Sequence, residues 1–184
     1  MNWFGPLFAL ISLSAGAASS QDFDVDPAGA VSASGDIHLP QVEFLRTWPV
    51  LGSWTILDGE EAGGFHTVYT QPGVIEAYLE TGSFPDGAVI VKELRSAATG
   101  SYTTGTAAHA SELEGWFVMV KDTQGRFTGN PAWGDGWGWG QFQAGDTLTS
   151  IAPDYQESCL GCHVPAQDSD WIYTQAYPVL SETR

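Results

Sequence analysis

The sequence predicts an α+β domain: a mostly antiparallel β-sheet with a few helices packed against it, in a single domain. Two observations predict the sheet. Short runs rich in β-branched and aromatic residues recur between turn signals, as in AVIVKEL (88–94) and GWFVMV (115–120). The run GWGWGQFQ (136–143) alternates bulky and small residues at period two, as a strand does. A third observation supplies a helix: PGVIEAYLETG (72–82) starts with proline and ends with glycine. No repeat and no dividing linker interrupts the 184 residues, so one domain follows.

The elements follow in order. Residues 1–20, MNWFGPLFALISLSAGAASS, read as a secretory signal peptide, although the usual basic residue near the start is missing. The apolar run is too short for a membrane span, and the small residues after it place cleavage between Ala17 and Gln21. Export predicts a periplasmic protein. Residues 21–38 are acidic and rich in Ala, Gly and Ser, which reads as a flexible arm. Residues 39–184 form the folded domain. HTVYTQP (66–72) is a strand ending at proline, and 72–82 is a short helix capped by Gly82. FPDG (84–87) is a turn before the strand 88–94. The strand 115–120 leads into a second turn, DTQG (122–125), and 136–143 is a further strand. DSDWIYTQAYPVL (168–180) reads as a helix opened by Asp168 or Ser169 and ended or bent by Pro178.

The formal net charge is −16, with six basic residues. Such a surface repels phosphate backbones and argues against nucleic acid or anionic lipid as a partner. It suits a cationic protein reached by electrostatic steering; solubility alone is the plainer reading of most of the carboxylates.

The chain has two cysteines, and both lie in SCLGCHVP (158–165). Cys159, Cys162 and His163 form C-x-x-C-H, the attachment signature of covalent haem c. Two thiols add across the two vinyl groups of one porphyrin. Two intervening residues let one helical turn present both sulfurs to one haem edge, and the adjacent His163 binds iron. Export strengthens the reading, because this haem is attached outside the cytoplasm. A zinc site would need a fourth ligand, and His38, His66 and His109 are isolated in sequence. A thioredoxin-like pair would need a βαβ context, which is lacking here. A disulfide leaves His163 unexplained. One haem c, with its iron, is therefore expected per chain.

The second axial position separates carriers from gas binders and enzymes. Met119 lies within the strand-like WFVMV and reads as core, while neither His38 nor His109 has a context that demands ligation. An open sixth site is expected. Lys92 stands out in the strand 88–94. Alternation puts Ala88, Ile90, Lys92 and Leu94 on one face and Val89, Val91 and Glu93 on the other. Lys92 either snorkels from an edge or is partly desolvated, which would lower its pKa and free a neutral amine.

The order TVYTQP, TGSFPDGAVIVKEL, KD with an aromatic strand, C-x-x-C-H and YTQAYPVL resembles the cytochrome P-460 family, with its related cytochromes c′-beta, from about Leu39 to Leu180. The resemblance implies a β-rich homodimer with one five-coordinate c-type haem. It implies hydroxylamine oxidation with nitric oxide or nitrous oxide chemistry, or, in c′-beta proteins, non-catalytic binding of gases such as nitric oxide. It also implies that Lys92 points at the haem edge, because the P-460 enzymes bond the lysine of this VKEL segment to a haem meso carbon. The chain departs from those enzymes at His66, where they carry arginine before TVY. His66 is thus a candidate distal proton acceptor beside Glu93 or a carboxylate in 146–157, and Phe65 or Phe84 is a candidate cap. Small nitrogenous substrates or gases, and a basic cytochrome as redox partner, are the expected partners. A six-coordinate electron carrier using Met119 or a histidine is the remaining alternative.

Overall fold

The computed structural model describes Met1 and residues 27–181. Apart from Met1, the expected signal peptide and residues 21–26 of the expected arm lie outside the described residues. The α+β expectation is met by a six-stranded antiparallel sheet with short helical segments around it. The strands are β1 (Val50–Asp58), β2 (Glu61–Thr70), β3 (Val89–Tyr102), β4 (Gly105–Lys121), β5 (Trp133–Gly134) and β6 (Trp137–Gln143). They pair in the order β1-β2-β3-β4-β6-β5. The short helices α1 (Phe44–Thr47), α2 (Val74–Thr81) and α3 (Gly161–His163) lie outside the sheet. Among the described residues, no helix is long and apolar enough to cross a membrane.

Several boundaries move outward from the sequence expectation. β2 begins at Glu61, and β1, a strand beyond those the sequence predicts, pairs with it as the edge strand. Its VLGSWTILD is largely exposed and so lacks a buried face that would mark it. β3 and β4 extend well beyond 94 and before 115, so the polar stretch around His109 is strand rather than loop. Cross-strand hydrogen bonds hold this hairpin although its tip is exposed. α2 starts at Val74, two residues after Pro72, because Gly73 at φ +89 turns the chain into it. Its end matches expectation: Gly82 donates its N–H to the Tyr78 carbonyl at 2.7 Å.

The sheet has a core on each face, as strand alternation requires. On the back face, Val89, Val91, Trp116, Val118 and Phe142 pack under α1 and under residues 30–39. Each such burial contributes roughly 1.5–3 kcal/mol. This corrects the arm expectation for residues 27–38. Ala30, Val31 and Ile37 are buried there, and Val31 bridges Ile37. The apolar residues of that segment are few, but they coincide with a sheet face that would otherwise be wet.

On the front face, Val68, Ile90, Met119, Trp137 and Trp139 meet α2 and the C-terminal segment. That segment is also corrected. In place of one helix over 168–180, it runs as short 3₁₀ turns, Val164–Ser169, Thr174–Ala176 and Pro178–Leu180. Asp170 and Trp171 interrupt it with φ of +58° and +66°, which no helix tolerates.

Candidate functional site

Antiparallel register lines up side chains across the sheet. One front-face row is Val68, Lys92, Phe117 and Gln141, and the next is Thr70, Ile90, Met119 and Trp139. The C-terminal segment crosses these rows without filling the space between. It leaves a partly open cavity of about 200 Å³. Val68, Lys92, Phe117 and Trp139 line it from the sheet; Cys159, Cys162, His163 and Tyr173 line it from the other side.

The cysteine motif lies on a helical stretch. A wide π-type turn, Gln156–Leu160, continues into α3, so Cys159, Cys162 and His163 share one short coil. Such turns are rare and recur at functional sites. Both thiols are free. Cys159 is buried, and burial pushes its thiol up to about 11, with the neighbouring Cys162 adding to the shift. Cys162 is exposed, and its carbonyl accepts a hydrogen bond from the Tyr173 hydroxyl.

His163 sits in an aromatic corner. Its ring centre is 4.9 Å from that of Trp139 and 5.9 Å from that of Tyr173. Its Nδ1 lies 2.7 Å from the Trp171 carbonyl oxygen. A carbonyl can only accept, so Nδ1 carries the proton and Nε2 presents its lone pair. Burial lowers the pKa of His163, against the Trp171 bond, and favours this neutral form. An imidazole oriented through its other nitrogen is the usual form of a metal-ligating histidine.

Lys92 faces the cavity, which decides between the two sequence readings of its position. Its Nζ lies 4.5 Å from the centre of the Phe117 ring. No carboxylate pairs with it among the described residues; burial is the main cause that lowers its pKa, opposed by Cys162 and Cys159. Two thiols, an oriented imidazole and a desolvated amine thus ring one largely apolar space. That donor set fits a flat apolar macrocycle with a metal at its centre. A bare ion fits less well, since no three metal-ligating side chains cluster among the described residues.

Other sequence candidates fall elsewhere. His66 is half-buried on the cavity face, one row beyond Lys92, opposite Leu94. It does not line the cavity. Burial lowers its pKa, the Lys92 charge adds to that, and Glu114 opposes it. Glu93 points to the back face and is bound by Arg95 at 2.7 Å, so it is corrected as a cavity proton acceptor. No carboxylate from 146–157 lines the cavity; Asp146 instead accepts the Leu148 and Thr149 backbone N–H groups. Phe84 is buried against Tyr78 and Trp137, and Phe65 alternates to the back face, so neither caps the cavity. Phe117 is the phenylalanine that lines the cavity among the described residues. Its alternation with Met119 was readable, but only strand pairing shows that it meets Lys92. The Trp171 carbonyl carries no residue-type signal at all. His38 and His109 do not line the cavity, while Met119 lines it and is buried.

The family model for Cytochrome P460 matches residues 43–174, a span that holds Lys92 and the whole C-x-x-C-H motif. No curated protein matches the chain.

Proposed function

The chain belongs to the cytochrome P460 family, whose members bind haem, and from that premise we propose that it is an exported c-type cytochrome that oxidises hydroxylamine. The observation that carries the reading is that Cys159, Cys162, His163 and Lys92 line one cavity. Cys159 and Cys162 would hold one haem through two thioethers, and His163 would ligate its iron through Nε2. The bound haem supplies an iron centre able to take electrons from a small nitrogenous substrate.

The remaining work falls to the chain. The Trp171 carbonyl and the Trp139 ring hold the His163 imidazole in place. Apolar walls from Val68, Ile90 and Phe117 keep bulk water from the substrate side. Oxidising hydroxylamine to nitrous oxide releases protons and electrons in equal number. His66, on the cavity face one row beyond Lys92 and with its proton affinity lowered by burial, would be the proton acceptor. Lys92 occupies the position of the lysine that the P-460 enzymes bond to haem, and its lowered proton affinity supports the same bond here. Electrons would leave to a basic redox protein drawn by the acidic surface. A periplasmic location and a homodimer complete the proposal.

One observation favours a second reading. No carboxylate among the described residues lines the cavity, so proton traffic there is sparse and gas binding without turnover is the competing use. The test is the spectrum of the dithionite-reduced protein, followed by hydroxylamine turnover with an artificial acceptor. A broad, red-shifted Soret band that Lys92→Ala returns to normal, together with turnover, supports the enzyme. An ordinary high-spin c-type spectrum that responds to carbon monoxide, without turnover, supports the gas binder. A low-spin spectrum that ignores carbon monoxide sinks both.

A further inference from the structure

The carbonyl that orients His163 belongs to Trp171, and Trp171 has φ +66°, a backbone region that bulky residues rarely enter. Asp170 before it is also left-handed, at φ +58°. Two consecutive side-chain-bearing residues in this region need outside support. The support comes from the sheet. Lys121 ends β4 and faces Trp137, the first residue of β6. Lys121 Nζ donates to Asp170 Oδ1 at 2.6 Å and lies 4.7 Å from the centre of a Trp137 ring. The Trp137 indole N–H donates to the Asp170 carbonyl oxygen at 3.1 Å. Asp170 Oδ2 is buried with no hydrogen-bond partner among the described residues, and Lys121 is the cation that offsets this carboxylate.

We infer that Lys121 and Asp170 are positioning residues: their buried ion pair, with Trp137, clamps the left-handed turn that aims the Trp171 carbonyl at His163 Nδ1. Neither residue lines the cavity. Their action reaches the iron only through the orientation of His163, and to that extent the inference rests on the haem reading above.

The test is ¹⁵N-imidazole NMR on the mature holoprotein, reduced and under carbon monoxide so that the iron is diamagnetic. The His163 Nδ1–H signal reports the bond to Trp171; the Nε2 shift reports iron ligation. Two variants are compared with wild type. Lys121→Met leaves Asp170 unpaired. The double variant K121M/D170N removes both charges, leaves no buried charge unpaired and keeps a side chain that tolerates the left-handed region. Wild type should show a slowly exchanging Nδ1–H, and the double variant should lose that protection. Arg126→Met breaks a different partly buried ion pair, with Asp86 and Asp122, and should lower stability while leaving the His163 signal protected. Lys121→Arg should restore protection. If the double variant keeps wild-type protection, or if R126M loses it equally, the inference is overturned, whether or not K121M folds. A protected Nδ1–H with an Nε2 free of iron would overturn the haem-ligand reading while the clamp stands.

Discussion

Lys92 and Glu93 are neighbours on β3, and the two faces of the sheet treat them in opposite ways. Glu93 points into the back core and is met by the Arg95 guanidinium at 2.7 Å, with the Tyr69 hydroxyl also directed at it. Lys92 points into the front cavity, lies over the Phe117 ring and feels the charges of Cys162 and Cys159, with no carboxylate partner among the described residues. The back face is filled by the chain's own residues 30–48, so its buried charge must be neutralised internally. The front face keeps a partly open cavity of about 200 Å³, and among the described residues its amine has no carboxylate partner. One face is built for stability; the other keeps groups whose demands the chain itself does not meet. That contrast locates function more sharply than the motif alone.

Four experiments can break or sharpen the contrast. The largest effect is expected from C159S/C162S, which should abolish covalent haem, read as loss of haem stain on a denaturing gel. Retained stain would show that the front cavity does not attach its group through these thiols.

Next, Glu93→Ala should destabilise the protein by about 1–3 kcal/mol, read from urea unfolding, because it removes the acceptor of a buried charged hydrogen bond. Lys92→Met, made in the C159S/C162S background, should leave stability unchanged or raise it, because the desolvated amine it removes has no carboxylate partner among the described residues. A loss with K92M equal to that with E93A would erase the distinction between the faces.

The third effect is a pH slope. Lys92 has a folded pKa below its ordinary 10.5, chiefly through burial. The unfolded chain therefore binds more protons between the lowered value and 10.5, and stability contributed by this site rises with pH across that window. K92M should flatten the slope in the same background. An unchanged slope would mean that the amine is solvated.

The smallest effect is expected from His66→Ala, within about 0.5 kcal/mol in stability for a half-buried side chain outside both cores. Its turnover profile is the informative readout. If hydroxylamine turnover and its pH dependence match wild type, His66 is not the proton relay.

Much of this was legible in the chain. The alternation of residues 88–94 correctly separated Lys92 from Glu93, since strand sidedness is a local property. The same rule puts Glu93 on the face away from the cavity, where Arg95 binds it. Gly82, the turn at Asp122 and the strand through Trp137 and Trp139 followed from local chemistry as well. The long β3–β4 hairpin did not, because its exposed Thr, Ala and Ser residues carry no hydrophobic period. The left-handed pair Asp170–Trp171 was hidden in an apparently helical run, because its support comes from Lys121, distant in sequence.

By itself, the sequence determined the C-x-x-C-H spacing, the α+β class and which residues share a strand face. These depend on covalent spacing and on the period-two geometry of a single strand. Only the tertiary structure decided that Phe117 lies against Lys92, that residues 30–39 close the back face, and that a backbone carbonyl orients His163. Those are contacts between segments far apart in the chain. Pairing register and the path of the C-terminal segment set them, and no local pattern encodes either.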